Sequence, residues 1–169
     1  AGALAGGGAW ARLGELERLD LDDNALGPTP PDALFALSAL SSLSLRGNGL
    51  RRLAPPTRAL GELAQLATLR VGRNRLSELP RCLGALEMLA ALDASHNEIG
   101  RLGGLSVAHL AAGCPALTSL DLSRNQLAEL PAEVGRLGAL RALRLARNAL
   151  RALPPELGAC GRLETLALD

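Results

Sequence analysis

The stretch LTSLDLSRNQL at residues 117–127 recurs along nearly the whole chain, with changes at its polar positions and with Val71, Ala94 and Ile99 the only departures at its hydrophobic positions. Its frame is L-x-x-L-x-L-x-x-N-x-L, and the other copies are LERLDLDDNAL (16–26), LSSLSLRGNGL (40–50), LATLRVGRNRL (66–76), LAALDASHNEI (89–99) and LRALRLARNAL (140–150). A seventh copy starts at Leu163 and stops at Asp169. The asparagines recur every 23 to 28 residues, a period typical of stacked supersecondary units. We therefore interpret the chain as a repeat architecture.

The centre of each copy alternates leucine with other residues, which predicts a strand with one buried face. The next strand comes one repeat later with a long return between them, so the strands should pair in parallel. The expected product is an α/β solenoid: a curved right-handed arc with a parallel sheet on the concave face. Short helices, turns and loops should form the convex face. The inward-pointing residues would include Leu19, Leu21, Leu43, Leu45, Leu69, Val71, Leu120, Leu122, Leu143 and Leu145.

The return half of each repeat reads L-x-x-L-P-x-x-L/V-G-x-L-x-x-L in the regular copies, as at 76–89, 127–140 and 150–163. Proline suits the start of a short helix or turn. Apolar residues six before the next strand leucine should dock into the core: Trp10, Leu34, Leu60, Leu83, Leu110, Val134 and Leu157. So should those three before it: Leu13, Leu37, Leu63, Leu86, Leu137 and the small fillers Cys114 and Cys160. Cys82 is predicted on a helix surface.

Three returns differ from this regular pattern: the first two and the longest one. The first two, residues 24–40 and 48–66, carry extra proline and glycine and should loop irregularly. The longest, residues 98–117, contains LSVAHLAAGCPAL (105–117), which predicts a true two-turn helix ended by Gly113 and Pro115. Neutral drift in length on the convex side is the alternative explanation for these differences.

The recurring asparagine follows each strand, where the chain must turn. Its amide can both donate to and accept from backbone groups that the turn leaves open. Stacked from repeat to repeat, these side chains should form a buried structural ladder: Asn24, Asn48, Asn74, Asn97, Asn125 and Asn148.

Composition narrows the classes of partner. With one Trp, one Phe and no Tyr, the core must consist mainly of leucine. A net charge of +1 gives no overall electrostatic attraction to nucleic acid or to an anionic membrane. No apolar run is long enough for a transmembrane helix. Three cysteines without a pairing pattern, and no glycosylation sequon at the asparagines, favour a reducing, cytoplasmic compartment.

The expected domain organisation has two parts. Residues 1–12 would be a flexible lead-in and the end of a preceding partial repeat, and residues 13–169 a domain of six full repeats plus a truncated seventh. Because the sequence begins with alanine and stops inside a strand, we expect a fragment of a longer chain.

The frame and the LPxELGxLxxL returns resemble the typical 23-residue class of intracellular leucine-rich repeats, as in Ras-group and scaffold proteins, over roughly residues 13–169. The closing LPPELGACGRLETLALD (153–169) is similar to the last repeats of one member of this class, and HLAAGCPALTSLDLS (109–123) resembles the F-box-associated cysteine-containing class. The resemblance implies a leucine-rich-repeat solenoid with a non-enzymatic surface for binding other proteins.

Candidates for catalysis are few. The only histidines are His96 and His109, and Cys114 lies five residues after His109, which fits neither one helical face nor a zinc spacing. A phosphate loop needs lysine, and all 18 basic residues are arginine. The glycines at 6–8 do not form a dinucleotide fingerprint. We expect no catalytic residue, no metal site and no cofactor, and hence no enzyme within these residues.

The concave face remains as the candidate site. Between the strand leucines the sequence places Asp20, Ser44, Arg70, Asp93, Asp121, Arg144 and Ala167, so that Arg70 should face Asp93 and Asp121 should face Arg144. Immediately before each asparagine it places Asp23, Gly47, Arg73, His96, Arg124 and Arg147, a basic column along the rim. The candidate partner-binding residues are therefore Arg70, Arg73, Asp93, His96, Asp121, Arg124, Arg144 and Arg147.

The basic column has two interpretations. It could receive an acidic segment or a phosphate, because arginine forms bidentate contacts. It could equally be a solvated rim made arginine-rich by codon usage. Our leading hypothesis is a protein-interaction module or scaffold for another protein of unknown identity. The alternatives are the sensor or substrate-recruiting region of a larger signalling enzyme (kinase, ubiquitin ligase or cyclase), and a simple spacer.

Overall fold

The computed structural model describes residues 10, 12–53, 59–100 and 104–169. Within these ranges seven strands form one parallel sheet in chain order, as the repeat pattern predicts. The strands are β1 (Arg18–Asp20), β2 (Ser42–Ser44), β3 (Thr68–Arg70), β4 (Ala91–Asp93), β5 (Ser119–Asp121), β6 (Ala142–Arg144) and β7 (Thr165–Ala167). Apart from Trp10 and Arg12, the predicted lead-in at 1–12 lies outside the described residues.

The register keeps every repeat in step with the next. The middle leucine of each strand pairs with the middle leucine of its neighbour: Leu19, Leu43, Leu69, Leu92, Leu120, Leu143 and Leu166. Backbone hydrogen bonds continue past the strands, for example from Leu45 N to Arg70 O (2.8 Å) and from Val71 N to Asp93 O (2.7 Å). The sheet therefore positions both the residue between the leucines and the residues that follow the strand.

The regular returns are 3-10 helices, and those that begin at Asp32, Arg81, Ala132 and Pro155 are each entered through an extended proline. Pro80, for instance, has φ −72° and ψ 146°, and its carbonyl accepts a hydrogen bond from Leu83 N at 3.2 Å. Proline suits this place because its fixed φ fits the entry and the N–H it lacks is not needed there. The helices are η1 (Asp32–Ala36), η2 (Ala59–Glu62), η3 (Arg81–Ala85), η4 (Ala132–Arg136) and η5 (Pro155–Ala159).

The longest return contains the predicted α-helix, α1 (Gly104–Gly113), which packs between η3 and η4. The expectation of irregular early returns was wrong for two stretches. Residues 32–36 and 59–62 form η1 and η2 in the same place as the later 3-10 helices. The local propensity for a turn around Pro and Gly gives way to the docking of Leu34 and Leu60, which are almost fully buried. Residues 54–58 of the second return lie outside the described residues.

Neighbouring returns approach each other through glycine. A Cβ built on Gly84 would lie 2.6 Å from His109 O of α1, and one on Gly135 would lie 2.2 Å from Glu156 O of η5. Any other residue at these two positions would have to displace backbone of the next return. The glycine of the L-G step therefore sets how closely the returns pack.

Leucine fills the space between the sheet and the returns, as the composition predicts. The six-before residues from Trp10 to Leu157 are all buried, and Cys114 and Cys160 are 2% and 4% exposed. Their thiols donate to Leu83 O and Val134 O, both at 3.2 Å, and burial raises the pKa of Cys114 to about 11. These two cysteines pack as core residues.

Three placements differ from the expected core. Leu13 is 45% exposed and Leu19 only half-buried, because both lie in the first described repeat. Cys82, expected on a helix surface, is half-buried against the core. No helix in the described ranges is long and apolar enough to cross a membrane.

Candidate functional site

The asparagine amides connect each rung to the one before it. Asn74 Oδ1 accepts from Asn48 N and Leu50 N of the preceding rung, both at 3.0 Å. Its Nδ2 donates to Leu45 O (2.9 Å) of the preceding rung and to Val71 O (2.9 Å) of its own. Asn48 Oδ1 likewise accepts from two backbone N–H groups, those of Asn24 and Leu26, whereas among the described residues Asn97, Asn125 and Asn148 each accept from one. All four donate through Nδ2 to a carbonyl of the preceding rung and to one of their own.

The outermost asparagines are bound less completely. Asn48, Asn74, Asn97 and Asn125 are 2–8% exposed. Asn148 is half-buried, and Asn24 is exposed, with its side chain donating only to Asp22 O at 2.9 Å. These contacts fix the turn that follows each strand, and with it the rim beside the concave face.

The residue before each asparagine has a left-handed backbone. Its φ lies between 54° and 64° at Asp23, Gly47, Arg73, His96, Arg124 and Arg147. Glycine, aspartate and asparagine tolerate this conformation, whereas for arginine it costs roughly 1–2 kcal/mol. We call the four later members, Arg73, His96, Arg124 and Arg147, the rim column. The common conformation directs their side chains away from the same edge of the sheet.

The rim column follows the hydrogen-bonded ladder. Arg73 N donates to Ser95 O (2.9 Å), His96 N to Ser123 O (2.8 Å) and Arg124 N to Ala146 O (2.8 Å). Its four side chains therefore stand on consecutive rungs. All four are exposed, and none of the three guanidinium groups forms an ion pair with any residue that the structure describes.

Arg70 lies opposite Asp93 and Asp121 opposite Arg144 in the sheet register, as expected. The mutual ion pairs that this register suggested are nevertheless absent among the described residues, where Arg70 and Arg144 are exposed and unpaired. The reason is local. Each aspartate turns toward the serine two residues later, accepting from Ser95 N (3.0 Å) and Oγ (2.7 Å), or from Ser123 N (2.9 Å) and Oγ (2.6 Å).

Arg46 is a site residue that the sequence reasoning missed. Its Nη1 lies 3.0 Å from Asp93 Oδ2, although Arg46 follows β2 and Asp93 belongs to β4. The side chain passes over the intervening repeat beside Gly72, where an added Cβ would lie 3.2 Å from Asp93 Oδ1. The signal was present in the column Asp22, Arg46, Gly72 and Ser95, in which glycine follows arginine.

The acidic first rungs also use their carboxylates internally. Asp22 Oδ1 accepts from Ser44 Oγ (2.6 Å) and Arg46 N (2.8 Å), and Asp20 Oδ1 accepts from Asp22 N (2.9 Å). Together with Asp93 and Asp121, these residues have engaged carboxylates, whereas the guanidinium groups of Arg70 and Arg144 form no ion pair among the described residues.

The pKa of His96 reflects the charges of the side chains around it. Desolvation lowers its pKa below 6.5, and the positive charges of Arg124, Arg73 and Arg46 lower it further, while Asp93 partly offsets them. The positive charges of these three arginines therefore disfavour the charged form of the imidazole. An anion placed here would be attracted by the same charges.

The other chemically reactive side chains do not converge on a site. His109 is exposed on α1, whereas Cys114 is buried in the core with a raised pKa. In the part of the chain that the structure describes, no three His, Cys, Asp or Glu residues lie close enough to hold a metal ion.

Comparison with known proteins agrees with the repeat frame. The leucine-rich repeat family model matches residues 15–37 and 116–137. A leucine-rich-repeat protein of Leptospira interrogans is 30% identical, with a TM-score of 0.70 over 94% of this chain. Internalin C2 of Listeria monocytogenes is 22% identical, with a TM-score of 0.76 over 95%. TLR13, solved in complex with the RNA ssRNA13, is 26% identical, with a TM-score of 0.70 over 80%.

The present chain spans 44% of the Leptospira protein, 64% of internalin C2 and 19% of TLR13. No curated protein matches its sequence significantly. Proteins of this fold are typically non-enzymatic binding modules, and the repeat frame, the parallel sheet and the matching repeats all point to one assignment. The chain belongs to the leucine-rich repeat family.

Proposed function

We propose that this chain is a protein-interaction module whose concave face binds another protein. The observation that carries the proposal is the contrast between the backbone and the side chains of that face. The backbone is held by an uninterrupted parallel ladder and by buried asparagines, whereas Arg70 and Arg144 are exposed and form no ion pair with any described residue.

A rigid, preorganised surface favours binding because little conformational entropy is lost when the partner docks. Arginine is also enriched among the residues that dominate interface energetics. The face carries no aromatic anchor in the described residues, so we expect its affinity to depend on charge and hence on salt. A protein with mixed positive and negative side chains suits such a face.

The proposal extends to compartment and context. Three free cysteines, two of them buried in the core, support a reducing compartment such as the cytoplasm. A scaffold acting in signalling is the context we favour. A recruiting role within a larger signalling enzyme is the second candidate, and a catalytic domain in the same open reading frame would support it.

Site-specific photo-crosslinking tests the surface. A photoreactive amino acid at Thr68 or Ala142 would lie on the concave face, two residues before Arg70 or Arg144, and would leave both arginines intact. The matched controls are Ala85 and Ala159, which are exposed on the returns. We expect a discrete crosslinked protein from the concave positions and none from the controls. Equal or stronger crosslinking from the returns would overturn the proposal.

A further inference from the structure

Resting on the proposed function, we propose that the rim column binds an extended acidic segment of the partner, with carboxylates on alternate residues. The segment would run across β3, β4, β5 and β6, contacting Arg73, His96, Arg124 and Arg147 in turn. The inference thus names the chemistry of the partner and the part of the face that receives it.

The spacing of the rim column fits this segment. Its members follow consecutive strands, which stand about 4.8 Å apart in a sheet, so Arg73 and Arg147 are separated by three steps, or about 14 Å. In an extended peptide, side chains on one face recur about every 6.8 Å, so three acidic residues at alternate positions also span about 14 Å. Three carboxylates can therefore span the rim column, from Arg73 to Arg147, without bending the peptide.

The residues of the rim column occupy a backbone conformation that few residue types favour, so the residue types found there bear on function. The first two rungs fill the left-handed position with Asp23 and Gly47, which this conformation favours. Three of the next four rungs fill it with arginine, although asparagine would fit the backbone better, and the remaining rung carries His96, a residue type that also tolerates this conformation. The three arginines therefore run against conformational preference, as a binding role would require.

The charges needed by an acidic ligand are available. The three arginines of the rim column have no ion pair among the described residues, so a ligand would displace only water and counter-ions. The nearby carboxylate of Asp93 is already engaged by Ser95 and Arg46, and that of Asp121 by Ser123. The column thus presents the charges of Arg73, Arg124 and Arg147 in one row, with the Asp169 carboxylate, which accepts from Arg147 N, at its β6 end.

A protein segment fits this surface better than RNA does. Single-stranded nucleic acid is usually held by aromatic side chains that stack on bases, and the described concave face has none. Acidic residues at Asp20, Asp22 and Asp23 flank the column at one end and would repel a longer phosphate backbone. RNA is accordingly a competing outcome in the test.

Synthetic peptides test the spacing. A fluorescent peptide with glutamate at every second position would be compared with one carrying the same glutamates in a contiguous block and with one carrying glutamine. Anisotropy at low salt should rank the alternating peptide first, about threefold or more tighter than the block, with no binding of the glutamine peptide. Equal binding of the two acidic peptides would overturn the proposed spacing.

The decisive variant is Arg73→Asn/Arg124→Asn/Arg147→Asn, because asparagine tolerates the left-handed backbone. We expect affinity for the alternating peptide to fall about tenfold or more, while the melting temperature stays the same or rises by a few degrees. The matched control is Arg81→Asn/Arg136→Asn/Arg162→Asn, which removes the same charge from exposed positions elsewhere. An equal loss in the control would reduce the effect to net charge and overturn the proposal.

His96 provides a residue-level signal. A carboxylate bound near Arg73, Arg124 and Arg46 should raise the pKa of His96, as Asp93 already does in part, so binding should tighten as the pH falls. NMR titration of the imidazole with and without the alternating peptide measures this shift. An unchanged titration in the saturated complex would place the peptide elsewhere.

Two further outcomes separate the inference from the proposed function. If Thr68 and Ala142 crosslink a partner whose binding is unaffected by the triple rim variant, the module stands and the acidic-segment proposal fails. If an RNA oligonucleotide binds the column more tightly than the alternating peptide does, the partner class is wrong. If the partner no longer crosslinks to the triple rim variant but still crosslinks to the control variant Arg81→Asn/Arg136→Asn/Arg162→Asn, the result supports both the proposed function and the acidic segment.

Discussion

The rungs in the middle of the stack and the rungs at its ends share one sequence frame but differ in what that frame achieves. Leu92 in the middle is 2% exposed, whereas Leu166 at the equivalent position of β7 is 40% exposed. Asn97 makes four hydrogen bonds from a buried side chain, whereas Asn24 makes one from an exposed side chain. A motif residue in a solenoid therefore acquires its energetic importance from its neighbours, as nearest-neighbour coupling requires.

The largest contrast should come from the leucine core. Leu92→Ala is expected to lower the free energy of unfolding by about 2–5 kcal/mol, because it leaves a cavity between two packed rungs. Leu166→Ala should lower it by about 1 kcal/mol, because much of that side chain is already in water. Urea unfolding monitored by circular dichroism measures both. Equal losses would contradict the dependence on position.

Substitution of the asparagines should also cost more stability in a central rung than in a terminal one, but the difference should be smaller than for the leucines. Asn97→Ala would leave Leu76 N and the carbonyls of Val71 and Ala94 without this partner, which should cost about 1–3 kcal/mol. For Asn24→Ala the expected change lies within about 0.5 kcal/mol, as for other exposed positions. Chemical denaturation of the two variants side by side provides the comparison. A greater loss at Asn24 would show that burial is the wrong criterion.

Ion pairs sharpen the comparison on the surface. Arg46 and Asp93 are partly buried, at 33% and 22% side-chain exposure, whereas Arg141 and Glu164 are exposed, at 56% and 63%. A double-mutant cycle with Arg46→Ala and Asp93→Asn should give a coupling below about 1 kcal/mol, and the cycle at Arg141 and Glu164 a smaller one. Added salt should weaken the second more completely. A larger coupling energy for Arg141 and Glu164 would contradict the expectation that Arg46 and Asp93 form the stronger ion pair.

The smallest effect concerns pH and the middle rung that carries His96. Its pKa in the folded protein is below 6.5, so as the pH falls through this value the unfolded chain takes up a proton that the folded chain resists. The wild type should therefore lose stability relative to His96→Asn on acidification, and the difference should stop growing below the folded pKa. Thermal melts of both proteins across this range check the sign. A gain relative to the variant would mean that Asp93, and not the arginines, dominates the field at His96.

The repeat frame made the fold predictable because leucine spacing specifies both the strand and its buried face. Parallel pairing, the register of Arg70 with Asp93 and the helix near 105–117 followed from this periodicity. The regularity of the first two returns did not, because docking of Leu34 and Leu60 overrides the local signal from proline and glycine. The sequence therefore predicted which residues are buried. It did not predict whether local turn propensity or tertiary docking determines the conformation of a return.

The candidate site was less predictable, because side-chain pairing depends on local competitors. The aspartates opposite Arg70 and Arg144 bond instead to the serines two residues later, which a cross-strand argument leaves out. Arg46 reaches Asp93 across an intervening repeat, a contact that neither neighbouring strands nor sequence spacing suggests. The left-handed backbone of the rim column likewise arises from the turn, and hydrophobic periodicity carries no information about it.

The close approach at Gly84 and Gly135 bears on the radius of the arc. Hydrogen bonds hold the inner edge of the solenoid at a fixed spacing, so the outer spacing between returns alone determines how sharply it bends. A methyl group at either glycine would wedge the outer edge open while the inner edge stayed closed. The superhelix would tighten locally, and a ligand spanning several strands would meet a narrower cradle. Curvature in this molecule thus depends on glycines, Gly84 and Gly135 among them, that lack a side chain on the face opposite to where a partner would sit.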